Sequence, residues 1–136
     1  MTKSLALAAA VVVTAVTSGA CHREHPVQRK TTASWHSVGT WSGHGNAQTD
    51  SFDVGYTQIR VRWETRNEQP VGAGTFHVTL NSAVSGRELA TAVDYKGIGH
   101  DVAYVGADPH WSYLLIESSN VDWSVTVEEP ALTEGP

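Results

Sequence analysis

Alternation with a period of two governs most of this chain. Ile59, Val61 and Trp63 alternate with Arg60, Arg62 and Glu64. Phe76, Val78 and Leu80 alternate with His77 and Thr79, and Val121, Trp123, Val125 and Val127 with Asp122, Ser124 and Thr126. Successive side chains of an extended strand point to opposite faces, so each segment has one apolar and one polar side. That is the signature of antiparallel sheet with one face buried and the other in water. Trp35–Trp41 and Thr49–Val54 read as weaker strands, and Glu88–Tyr95, Asp101–Val105 and Trp111–Ser118 complete a set of about eight. Tyr113 to Ile116 is apolar without a break, which predicts a strand covered on both faces. Turn formers separate the runs, as in Gly43-His44-Gly45-Asn46, Pro70-Val71-Gly72-Ala73-Gly74 and Gly106-Ala107-Asp108-Pro109. The one helical competitor, Gly86 to Val93, is tipped toward strand by Thr91, Val93 and Tyr95. The expected fold is all-β: a single antiparallel β-sandwich, jelly-roll-like, over residues 35–128, with a closed barrel as the alternative.

The N-terminus obeys different rules. Met1 to Ser4 carries Lys3, Leu5 to Val16 is apolar and uncharged, and Thr17-Ser18-Gly19-Ala20 supplies small residues before Cys21. The apolar run suits a signal peptide and is short for a membrane span, which needs roughly 20 residues. Gly19-Ala20-Cys21 resembles the end of a bacterial lipoprotein signal. The resemblance implies cleavage before Cys21 and a diacylglyceryl group on its thiol. Several acyl chains, each buried CH₂ contributing about 0.8 kcal/mol, would then anchor the mature chain. An ordinary secretory signal ending near a cysteine is the alternative. His22 follows where an inner-membrane retention signal would have aspartate. The lipoprotein resemblance therefore places the protein in the bacterial cell envelope, on the periplasmic side of the outer membrane if there are two membranes and on the extracellular face if there is one. Cys21 is the only cysteine in the chain, so no intrachain disulfide supports the fold.

Residues 21–34 read as a lipidated N-terminus and tether, with Pro26 and scattered charges and no apolar periodicity. Residues 129–136, with two prolines, read as a frayed tail. The formal charge is −5 and the basic residues are dispersed, which argues against nucleic acid as a partner. The partners expected are the membrane, through lipid on Cys21, and an envelope protein or glycan. The opening Trp35, the Gly43-His44-Gly45 turn, Phe52, Ile59-Arg60-Val61-Arg62-Trp63, Phe76-His77-Val78-Thr79-Leu80, Tyr113 to Ser118 and Trp123 to Val127 together resemble small secreted bacterial β-sandwich domains, mostly uncharacterised. The resemblance covers core positions and assigns no catalytic residue.

No nucleophile elbow, zinc-protease helix motif or phosphate-binding loop is present in the sequence. No catalytic residue, metal ligand set or cofactor is assigned. Carboxylates are available at Asp94, Asp101, Asp108, Glu117 and Asp122, but glycoside hydrolysis needs two facing each other. The chain has 7 histidines, and histidine is the commonest metal ligand. If each strand crosses the sandwich once, the loops at 42–48, 66–74, 96–100 and 119–120 share one end. His44 and His100, with Asp101, then lie on one rim, and His110 lies at the other. Aromatic side chains are the second candidate, since a flat ring can bind the apolar face of a sugar. Trp63 and Trp123 lie on apolar faces and are expected in the core. Trp35 and Trp41 are expected on one face of the first strand, with Gly39 leaving room for a neighbour. Of the five tryptophans, Trp41 and Trp111 are the ones to test for exposure, with core or edge cover as the leading reading for both. The candidate ligand-binding residues are therefore Trp41, Trp111, His44 and His100, on a non-catalytic domain that binds or supports. A sugar-binding module and a His-based metal or enzymatic domain are the rival functions.

Overall fold

A computed structural model describes residues 32–133. Cys21, the segment read as a signal and most of the expected tether lie outside them, as do residues 134–136. Nine strands are described: β1 (Thr32–His44), β2 (Ala47–Gln48), β3 (Phe52–Val54), β4 (Gln58–Arg66), β5 (Thr75–Ser82), β6 (Glu88–Lys96), β7 (Gly99–Gly106), β8 (His110–Ser119) and β9 (Asp122–Thr133). All pairings are antiparallel. Sheet A has the order β1-β9-β4-β7, and sheet B has the order β2-β8-β5-β6, with β3 also pairing with β8. β2 and β3 are two pieces of one edge strand, interrupted where Thr49 turns to bond Leu114 through its backbone N–H and its hydroxyl. Counted as one, they make eight strands, the number that the alternation predicts, and the sheets connect them in jelly-roll order.

The apolar faces meet between the sheets. Ile59, Val61 and Trp63 of β4 and Trp123, Val125 and Val127 of β9 face Phe76, Val78 and Leu80 of β5 and Leu114 and Ile116 of β8. Trp63 and Trp123 are both in this core. Their rings pack on Phe76 with centroids 5.7 and 6.4 Å away. Fully buried Thr65 ties the β6–β7 turn down, donating to Gly97 O at 2.7 Å and accepting from Gly99 N–H at 2.9 Å.

Three expectations change. The strands run past both proposed boundaries, because Thr32–Ser37 of β1 pairs with Glu128–Thr133 of β9. Pro130 is tolerated there because the β4–β9 ladder has already ended at Arg60–Glu128. Second, Tyr113 and Leu115 are only half-buried, since their side of sheet B faces water. Third, Trp35 and Trp41 do not share a face. The β1–β9 register shifts between Ser37 and Gly39. Val38 is the extra residue of a β-bulge, and a bulge reverses the facing of everything beyond it. Trp41 packs inward on Phe52, with centroids 5.7 Å apart, whereas Trp35 turns outward. Gly39 does leave room, and the occupant is the Trp41 ring itself, 2.3 Å from where a Cβ would stand.

Candidate functional site

The outer face of sheet A carries the densest polar chemistry. Strand register sets it out in rows across β1, β9, β4 and β7. Ser42, Ser124, Glu64 and His100 form one row, Thr40, Thr126, Arg62 and Val102 the next, and Ser37, Glu128, Arg60 and Tyr104 a third. An open groove of about 830 Å³ lies over β9, β4 and β7, with Arg62, Glu64, His100, Ser124 and Thr126 on its surface.

One end of this face is preorganised. The Glu128 side chain is only 9% exposed and accepts from Arg60 Nε, with Arg62 Nη1 at 3.3 Å from its other oxygen. Trp35 lies over the Arg60 guanidinium, 4.5 Å from the ring centroid, and meets Tyr104 edge-on at 5.9 Å and 65°. A cation over an indole face is attracted by the ring quadrupole, so Trp35 helps to hold Arg60 flat on the sheet. Tyr104 remains 61% exposed. On the other side of the Glu128 backbone, Glu129 accepts from Gly55 N–H at 2.8 Å, with His36 3.6 Å away.

The other end is closed by a small network. His44 Nδ1–H donates to Asp122 at 2.9 Å, and the Asn67 amide donates to the second carboxylate oxygen at 2.8 Å. Asn67 has φ 55°, a left-handed conformation that asparagine tolerates well. These bonds, that from Asn67 foremost and then that from His44, hold the Asp122 carboxyl below its ordinary value of 3.8. A carboxyl depressed by folding stabilises in full above its ordinary value and loses that contribution as pH falls through its folded one. Wild type and Asp122→Asn should therefore differ in thermal midpoint at neutral pH and converge below pH 3.8. A gap that persists at the acid end of a pH series of melts would contradict the network.

The sequence-derived candidates do not converge. The four loops do share one pole, as strand parity predicts. His44 and His100, however, sit on β1 and β7, the opposite edges of sheet A. Three strand spacings of about 4.8 Å, with a two-residue offset along the strands, put them roughly 16 Å apart. Asp101 accepts from its neighbour Val102 N–H at 2.7 Å. Among the described residues, no group of three or more His, Cys, Asp or Glu is placed to hold a metal. Trp41 is half-buried against the core, so it is not a surface platform. Trp111 is 55% exposed on the outer face of sheet B, opposite Asp53. His110 is at the other pole, as expected, with Nδ1 2.7 Å from Asp108 O. Of the carboxylates, Asp94 and Glu117 flank His77 across β6, β5 and β8 on an open sheet face.

The Trp35–Arg60–Tyr104–Glu128 cluster is what sequence reasoning missed. Regular alternation points Trp35 inward, and only the bulge brings it to Arg60. A glycine in mid-strand, Gly39, was the available signal, since such glycines mark bulges or close approaches. No protein-family model matches the chain, and no curated protein matches it.

Proposed function

We propose that this chain is a lipid-anchored protein of the bacterial cell envelope whose jelly roll is a non-catalytic binding module, with the outer face of sheet A as its ligand face. One observation carries the reading. Thr32 and Thr133 are paired neighbours at one pole of the sandwich. A chain held through lipid on Cys21 would thus enter and leave at the membrane side. Residues 22–31 can span at most about 35 Å. Both outer faces and the pole of His44, Asn67 and Asn120 would project into the envelope space. The non-catalytic part of the reading is supported by the scatter of His44, His100 and His110 and by the placement of Asp94 and Glu117 on open sheet. The sugar-binding rival shifts in consequence. A stacking platform needs coplanar exposed rings, and Trp35 and Tyr104 meet at 65° while Trp41 is turned inward. If sugar binds, the groove is the better place for it.

The anchor is tested with metabolic acyl labelling and membrane fractionation of the full chain. Wild type should take label and sediment with membranes. Cys21→Ala should take none and appear as uncut precursor or soluble product. Label retained by Cys21→Ala would end the lipoprotein reading.

A further inference from the structure

We infer that the groove on sheet A takes a neutral oligosaccharide, held by hydrogen bonds along the strands rather than on an aromatic platform. The inference rests on the binding-module reading and adds the ligand class. Three features carry it. The first is hydrogen-bond character. Ser124 and Thr126 of β9 put hydroxyls on the groove surface, and Ser42 and Thr40 of β1 continue the same rows beyond its edge, with Thr40 and Thr126 already bonded at 3.1 Å. Hydroxyls rotate and both donate and accept, which matches a ligand whose own groups are hydroxyls. Arg62 and Glu64 stand beside them on β4, one a donor only and the other an acceptor only.

The second feature is charge. Arg60 and Arg62 are both directed at Glu128, Asp122 is bonded by His44 and Asn67, Glu64 stands between these ends, and Asp101 adds a second exposed carboxylate at the β7 rim. An anionic ligand would have to displace Glu128 and approach Glu64. A cationic one would meet Arg62. An uncharged, hydroxyl-rich chain meets neither objection. The third feature is the bulge at Val38. It takes a tryptophan out of register with the core and sets it on the polar face, where with Tyr104 it closes one end of the rows. Re-aiming a side chain is a recognised use of bulges beside functional sites. From the Ser42 row to the Ser37 row is about 14 Å along the strands, room for a few sugar units.

The test is binding of the full chain in mild detergent to cello-, xylo-, manno- and N-acetylglucosamine oligomers, with polygalacturonate as the anionic comparison. Calorimetry or chemical-shift mapping gives the readout. At least one neutral series should bind, and Arg62→Ala and Tyr104→Ala should each weaken it by about tenfold or more while melting like wild type. Trp111→Ala should leave binding unchanged. Binding to none of the neutral series, binding to polygalacturonate alone, or loss in Trp111→Ala without loss in Arg62→Ala would each overturn the inference. Acyl labelling reports separately on the anchor. A chain that is labelled but binds no sugar keeps the envelope reading and loses this one, and the reverse result loses only the anchor.

Discussion

Trp123→Ala is expected to cost the fold about 3–5 kcal/mol, the usual range for emptying a large aromatic site in a core. The side chain is 2% exposed and packs on Phe76. Its Nε1–H donates to Gly45 O at 2.8 Å, so the ring also fastens the turn that leaves β1. Gly43, opposite it on β1, has no side chain, and a Cβ there would be 2.9 Å from the indole. The site is therefore shaped around this ring, and little nearby can collapse into the space. Trp123→Phe should recover much of the loss by refilling the volume. It would still forfeit the bond to Gly45, worth about 1 kcal/mol. Urea denaturation followed by far-UV circular dichroism measures both. A loss under about 1 kcal/mol for Trp123→Ala would place the ring outside the core and put the alternation argument in doubt.

That argument reached far in this chain, for a definite reason. A period of two fixes which side of each strand is apolar, and burial on one side then fixes the core. Ile59, Val61, Trp63, Phe76, Val78, Leu80, Trp123, Val125 and Val127 all lie where alternation puts them. Parity of crossings likewise placed the loops at the correct poles. Strand order is a different kind of information. Nothing in the spacing of His44 and His100 says that β9 and β4 separate them, because lateral order depends on long-range pairing rather than local pattern. The bulge escaped for a related reason. Inserting one residue changes no composition and no turn signal, yet it exchanges the roles of Trp35 and its neighbours. Pro130 misled in the opposite direction. It reads as the start of a tail, but its missing N–H costs little where β9 has only β1 beside it.

The candidate site owes its rigidity to one buried carboxylate, and Glu128→Gln should expose that dependence. Glu128 is 9% exposed, Arg60 is 20% exposed beneath Trp35, and Arg62 is 58% exposed. Breaking a fully buried ion pair by removing one partner costs roughly 3–5 kcal/mol, because a charge is left without a counter-charge. Arg60 keeps some contact with water, so about 2–3 kcal/mol is expected here. Arg62→Ala should cost under about 1 kcal/mol, since an ion pair with one end in solvent contributes little. Replacing Arg60 and Glu128 together by methionine should cost less than Glu128→Gln alone, because no charge is then stranded. Denaturant melts of the three variants separate these cases. Equal, small losses in Glu128→Gln and Arg62→Ala would mean that Glu128 is effectively solvated. The groove would then lack the fixed end on which Trp35 and Tyr104 depend for their placement.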